Sequence, residues 1–446
     1  MVKNAQKNNA KRKISEEAPK QGKHSPAKII EPADSIDIEK SQPEINIGMI
    51  GHVDHGKTTL VSRLTGKWTD THSEEIKKGI TIRLGYSDAV FYKCPKCNEP
   101  ECFTTKKICN ICSTKTLPLR KMSFVDAPGH ETLMATMLCG AAIIDGAILL
   151  IAANEPCPQP QTKEHLMALS ILGIKDIVIA QNKVDLISDE MTIANCNQIK
   201  DFVKGTIAEN APIIPISAQH EANLNFLIKA VEDFIKTPAR DLDKEPIMFV
   251  ARSFDVNLPG SDINKLVGGV LGGALKQGTL KVGDKIEIKP GRALAKEGKK
   301  LWQPITTRII NIKTGNMNVN LAKPGGSIAL LSQLDPSMVK SDQLVGNVIG
   351  LPEKLPSVIY ECDLRFKLLE RVVGAKDELA VETIKKGEAL MLNVNSAVTV
   401  GIAAAVEKDK AHIKLTIPVC ANTSDRMTIS RRLGSRWRLI GYGVIE

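Results

Sequence analysis

Residues Gly51-His52-Val53-Asp54-His55-Gly56-Lys57-Thr58 fit the spacing G-x-x-x-x-G-K-[ST] without a gap and follow an apolar run, 45–50. No other stretch restricts the possible folds as much. A loop that turns its backbone N–H groups around phosphate oxygens needs a buried strand before it and a helix after it, whose N-terminal end is positive. In this reading Gly51 and Gly56 let the backbone turn inward, Lys57 reaches the terminal phosphates, and the Thr58 hydroxyl sits on Mg²⁺. Apolar runs at 45–51, 122–129, 147–155, 176–185 and 211–218 alternate with helical periodicities at 131–142, 161–172, 198–209 and 223–235. Near-continuous β-rich runs between helices predict parallel strands covered on both faces, an α/β P-loop domain over 45–240.

Ligand chemistry in such sheets collects at the C-terminal ends of strands, and the informative residues fall there. Asp126-Ala127-Pro128-Gly129-His130 closes the second run, with a carboxylate able to hold Mg²⁺ and a glycine N–H able to meet a terminal phosphate. Asn182-Lys183-Val184-Asp185 closes the fourth. The acceptor-only carboxylate of Asp185 can take the N1–H and N2–H₂ donors of guanine, and Asn182 can reach the acceptors of the base, which selects GTP over ATP. Ser217-Ala218, after the fifth run, backs the base through a main-chain N–H. Between these motifs, Thr81 offers a hydroxyl and a carbonyl to Mg²⁺ and the γ-phosphate, in a segment ordered only while that phosphate is present.

Cys94-Pro95-Lys96-Cys97 and Cys109-Asn110-Ile111-Cys112 are separated by eleven residues. Paired C-x₂-C units of this kind predict a closed, structural Zn–S₄ knuckle at 94–112. Cys102 lies inside the gap and reads as a non-ligand. Ten cysteines, an N-terminus with no apolar core and no apolar run approaching the roughly 20 residues of a bilayer span predict reduced thiols, a cytoplasmic location and no membrane partner. At 446 residues the chain suggests about three domains. After a polar linker at 238–246 the pattern becomes short β-rich runs cut by Gly, Asp and Pro, with a second boundary at 350–352. Two antiparallel β-barrel domains, 246–350 and 353–446, are expected to follow the nucleotide domain.

Of the net charge of +10, residues 1–28 carry eight Lys/Arg against Glu16 and Glu17, or +6, leaving +4 for the rest. The segment 1–44 therefore reads as a disordered basic tail. Five arginines and Trp437 between Arg426 and Arg438 suit phosphate contacts and stacking on RNA.

GHVDHGKTT, KKGITIRLGY, the C-x₂-C pair, VDAPGHE, AANEPCPQPQTKEHL, QNKVDL, ENAPIIPISA, RSFDVN, VGGVLGG and SRRLGSRWRLIGYG together resemble the gamma subunits of archaeal and eukaryotic translation initiation factor 2, the archaeal form more closely. The resemblance runs from about residue 45 to the C-terminus. It implies a slow, partner-dependent GTPase (GTP and water to GDP and phosphate) with GTP/GDP, Mg²⁺ and structural Zn²⁺. Initiator Met-tRNA, the alpha and beta subunits of a heterotrimer and the small ribosomal subunit are the implied partners, and DNA is not. By position, Asp54, His55, Gly56, Lys57, Thr58 and Thr59 would hold the phosphates and Mg²⁺, with Thr81 and Asp126 also on Mg²⁺; Gly129 would meet the γ-phosphate, and His130 would orient the attacking water. Tyr86, Arg252, Gly268 and Gly269 become candidates for tRNA contact. The stretch 393–401, NVNSAVTVG, departs from the family's N-V-G-T-A-R-x-x-G, which weakens any tRNA role for that loop. Elongation-type and selenocysteine-specific factors, and GTP-hydrolysing metabolic enzymes, share the motifs. The knuckle weighs against the first, the stop at Glu446 against the second, and the lack of a further catalytic constellation against the third.

Overall fold

The computed structural model describes residues 37–69, 84–128, 138, 143–258, 260, 262, 266–296, 299–372, 379–434 and 436–446. Residues Asp37–Glu446 form one compact unit. Its first layer set is a seven-stranded sheet of β1 (Ile45–Gly51), β2 (Gly85–Lys93), β3 (Phe103–Thr104), β4 (Leu117–Asp126), β5 (Gly146–Ala152), β6 (Ile177–Asn182) and β7 (Ile213–Pro215) in the order β3-β2-β4-β1-β5-β6-β7. Every residue of β1, β5 and β6 is buried, as expected of strands covered on both faces. Pairings from β4 across to β7 are parallel, whereas β2 runs antiparallel to β4 and β3.

Helix α1 (Lys57–Thr65) follows β1, α2 (Pro160–Leu172) follows β5, α3 (Asp189–Val203) follows β6 and α4 (Leu224–Phe234) follows β7. α2 and α4 occur where the periodicity puts them, and α1 where the phosphate loop requires a helix. The expected helix at 198–209 instead begins at Asp189, because Ser188 accepts a hydrogen bond from the Met191 N–H and acidic residues fill the first turn. It ends before Gly205, whose φ is 72°. The expected helix at 131–142 lies outside the described residues apart from Leu138. Strand β2, not anticipated, alternates buried and half-buried residues; its antiparallel place at the sheet's flank gives the period-2 signal of a strand with one covered face.

Two closed antiparallel barrels follow. The first has strands β8 (Ile247–Phe254), β9 (Val270–Gln277), β10 (Leu280–Lys281), β11 (Lys285–Lys296), β12 (Lys299–Thr314), β13 (Met317–Val319), β14 (Leu321–Ala322), β15 (Ile328–Ser332) and β16 (Val348–Gly350). Six of them close in the order β11-β16-β8-β9-β15-β12, with β12 pairing back to β11. The second comprises β17 (Val358–Leu368), β18 (Ala389–Val394), β19 (Ala397–Glu407), β20 (Lys410–Cys420), β21 (Arg426–Leu433) and β22 (Arg436–Ile445), closed in the order β17-β20-β19-β18-β21-β22. Closure removes the edges that open sheets must protect.

Three of the five arginines of β21 and β22 are used inside the molecule, which removes them from the expected RNA patch, whereas Arg432 and Arg436 are exposed. Arg431 pairs with Glu388, Arg426 donates to the Ile171 carbonyl at 2.7 Å, and Arg438 pairs with Glu164 of α2 at 2.7 Å. Both side chains of the last pair are at least 90% buried. The last barrel is thereby docked on α2. At the other side, Gln42 bonds the backbone of Lys323, and Pro43 packs on Gly326, fastening the segment before β1 to the first barrel.

Candidate functional site

Sheet order reverses around β1, which has β4 on one side and β5 on the other, so the crevice at its C-terminal end is the place where open α/β sheets bind ligands. The loop 51–58 occupies it. Gly56 is left-handed at φ 91°, and a Cβ there would stand 2.4 Å from Asn182 Nδ2; only glycine allows the two loops this close. The Asn182 amide donates to the His55 carbonyl at 2.9 Å and accepts from the Ala218 N–H at 2.9 Å. Asn182 thus ties the loop to both base-side segments, a framework task beyond the base contact expected of it.

Lys57 is buried, its ammonium donating to the carbonyls of Gly51 (3.0 Å) and His52 (2.7 Å) across the mouth of the loop. The Thr58 hydroxyl donates to Asp126 Oδ2 at 2.8 Å, and Asp126 is wholly buried. Thr59 lies in the first turn of α1. A hydroxyl from the first turn of α1 and a carboxylate from the end of β4, converging beside a lysine, form the donor set of a hard divalent cation beside phosphate. Sequence reasoning missed Thr69, whose hydroxyl donates to the same Asp126 oxygen at 2.7 Å; its polar surroundings carried no signal. Thr81, Gly129 and His130 lie outside the described residues.

On the base side, Lys183 is left-handed at φ 65° and starts a 3₁₀ turn, Val184–Leu186. That turn brings Asp185 beside His220, 3.6 Å from its Nε2. The Ser217 hydroxyl accepts from the His220 N–H at 3.3 Å.

On the inner side of the loop the rings of His55 and His165 are buried and that of His52 half-buried, a grouping that the sequence did not reveal. His55 Nδ1 lies 2.9 Å from the Leu150 carbonyl and its Nε2 3.4 Å from Glu155, and the His52 and His55 rings meet edge to face at 5.2 Å. His165 of α2 is 2% exposed. Burial lowers all three pKa values, His55 to about 4 and His165 to about 3, so they are neutral imidazoles at neutral pH.

The cysteine cluster lies off β2 and β3. The sulfurs of Cys94, Cys97, Cys109 and Cys112 all lie within 4.8 Å of one another, with Cys94–Cys112 at 3.4 Å and Cys97 at 3.6 Å from both Cys109 and Cys112. A tetrahedron with metal–sulfur bonds of about 2.3 Å has edges of about 3.8 Å, so the four fit one zinc-sized ion. Hydrogen bonds from Thr114 pull the Cys112 thiol down to about 6, and backbone N–H groups lower Cys109, both favouring thiolate. Cys102 is fully buried in the apolar core and outside this set.

A cleft of about 350 Å³ opens between the sheet and the first barrel, lined by Tyr86 of β2, Arg252 and Phe254 of β8, and Gly272 and Gly273 of β9. Tyr86 and Arg252, far apart in sequence, meet here. Gly268 and Gly269 do not line it. A Cβ at Gly268 would lie 1.7 Å from the Ser332 carbonyl oxygen, and one at Gly269 would lie 2.5 Å from Val339; their smallness serves packing.

Residues 42–237 match the family described as the elongation factor Tu GTP binding domain. With the loop, Asp126 and the base-side motifs on one sheet crevice, the molecule is a GTPase of the translation-factor class, for which GTP or GDP and Mg²⁺ are the implied ligands. Residues 360–445 match the C-terminal domain of initiation factor eIF2 gamma. Subunit gamma of translation initiation factor 2 from Methanococcus maripaludis is 58% identical over 405 residues, covering 91% of this chain and 99% of that relative. Those of Methanocaldococcus jannaschii and Pyrococcus horikoshii are 58% and 56% identical, covering 92% and 91% of this chain and 98% of each relative. The chain belongs to this family of initiation-factor gamma subunits. Among solved structures, a bacterial selenocysteine-specific elongation factor shares the fold at a TM-score of 0.69 and 23% identity, covering 91% of this chain and 58% of that one. SelB of Methanococcus maripaludis with the GTP analogue GppNHp does so at 0.67 and 22%, covering 91% and 79%. Among the described residues no helix is long and apolar enough to cross a membrane.

Proposed function

We propose that this chain binds initiator Met-tRNA in its GTP state, as the core of a heterotrimer with alpha and beta subunits, and delivers it in the cytoplasm to the small ribosomal subunit. The observation that carries the reading is the cleft shared by Tyr86 and Arg252. It draws one wall from the nucleotide domain and the other from a barrel, so a group seated there would feel changes on both.

In this reading Lys57 and the backbone of 54–59 hold the phosphates, and Thr58, Thr81 and Asp126 hold Mg²⁺, which would supply charge neutralisation at the γ-phosphate. Asn182, Lys183, Asp185, Ser217 and Ala218 hold guanine. Gly129 senses the γ-phosphate and His130 orients the water. Hydrolysis then resets the hold on tRNA. The four cysteines 94, 97, 109 and 112 carry Zn²⁺ as a structural ion.

Filter binding of charged initiator and elongator tRNAs to the GTP-analogue and GDP forms, with and without the alpha subunit, tests this. Preference for the initiator in the GTP-analogue form supports it; equal affinities throughout sink it.

A further inference from the structure

The chain between β15 and β16 turns through two consecutive residues in the left-handed region, Ser341 at φ 54° and Asp342 at φ 59°. Neither is glycine; an aspartate alone can take this conformation, but two successive L residues in it need the surroundings to hold them. The surroundings do impose it here. Asp335 accepts from the Ser337 N–H at 2.8 Å, and Val339, fully buried, is seated against Gly269. The pair Gly268-Gly269 admits this loop to the barrel wall, since side chains at either position would push it out.

Asp342 Oδ1 accepts from Arg252 Nε at 3.1 Å and from the Ser253 N–H at 3.0 Å, gripping a side chain and the adjacent main chain of β8 with one oxygen. With Nε engaged, the guanidinium plane is held, and the terminal nitrogens belong to the side chain that lines the cleft. Those nitrogens are the fork that arginine presents to phosphate.

We propose that Asp342 is a positioning residue for tRNA binding, fixing Arg252 so that its fork meets the sugar-phosphate end of a charged tRNA in one orientation. The proposal rests on the assignment of the cleft to tRNA. It also accounts for the double glycine, which acts through this loop and not by touching RNA.

Electrostatics and positioning predict opposite signs. If Arg252 acted as a point charge, removing the neighbouring carboxylate would strengthen its field and tighten tRNA binding. If its orientation matters, the loss weakens binding by about tenfold, the weight of one charge-assisted hydrogen bond.

The test uses the full chain loaded with a non-hydrolysable GTP analogue and charged initiator tRNA, comparing Asp342→Gly, Arg252→Ala and the double variant. Asp342→Gly removes the acceptor on a backbone that suits φ 59°; it should bind tRNA about tenfold more weakly, add nothing in the Arg252→Ala background, because it acts through that side chain, and keep the parental GTP-analogue affinity. Asp342→Asn, whose amide oxygen still accepts from Arg252 and Ser253, should lose less. Unchanged or tighter binding by Asp342→Gly, or equal losses with and without Arg252, overturns the proposal. Unchanged binding by Arg252→Ala instead overturns the cleft assignment itself.

Discussion

Asn182 illustrates how much one side chain can hold. It bonds the His55 carbonyl and the Ala218 N–H and fills the space that Gly56 leaves. Asn182→Ala should weaken GTP and GDP alike, by roughly 10- to 100-fold for two buried hydrogen bonds, in a fluorescent-nucleotide titration; an effect on one nucleotide alone would contradict the tie. Asp185→Asn should move preference from guanine toward xanthine, and an unaltered competition profile would refute that base assignment. The buried histidines bear on pH. Their folded pKa values, about 4 for His55 and about 3 for His165, lie below the ordinary value of about 6.5. The unfolded chain therefore binds more protons, and stability is lost as pH falls below about 6.5, at up to about 1.4 kcal/mol per pH unit for each. Denaturant melts from pH 7 to 5 should show the loss, reduced in His165→Gln. The motif residues were legible because phosphate, guanine and zinc chemistry permit few side chains at few spacings. His165 and Thr69 were not, since a histidine in a helix or a threonine in a polar run acquires meaning only from what the fold sets beside it. Asn395 departs from the family pattern, yet it takes the left-handed turn at φ 51° that a glycine would otherwise supply, as asparagine can.

At the scale of elements, continuous apolar runs marked the parallel strands, and two-residue cysteine spacing marked the knuckle. Strand β2 escaped notice because its alternating YSDAVFYK face lay between two conspicuous motifs. Strand β21 was masked by its arginines, which read as a charged patch until Glu388 and the Ile171 carbonyl supplied partners for Arg431 and Arg426. The knuckle also anchors its surroundings: Lys107 pairs with Glu39, and Tyr92 donates to Glu39 at 2.9 Å. Elemental analysis should find about one zinc per chain. Cys97→Ser should lower the zinc content and make the region around 94–117 more open to proteolysis; a zinc-free preparation with unchanged protease resistance would remove the metal from the account.

Across the whole molecule, α2 links two distant places. Its His165 lies under the phosphate loop, and its Glu164 meets Arg438 of the last barrel at 2.7 Å, with both side chains buried. Breaking such a pair leaves a charge without its counterpart and costs about 3–5 kcal/mol. Arg438→Ala should show that loss in denaturant unfolding, and a loss below about 1 kcal/mol would mean that the barrel docks by other contacts. The order of a nucleotide domain and two barrels was readable from the change of hydrophobic period, whereas the docking was not, because it depends on side chains hundreds of residues apart. The central claim is that nucleotide state governs the hold on initiator tRNA, and it is tested most directly by measuring the affinity of full-length protein for charged initiator tRNA with a GTP analogue and with GDP. Tighter binding in the GTP-analogue form is predicted; equal affinity in the two forms would contradict the account.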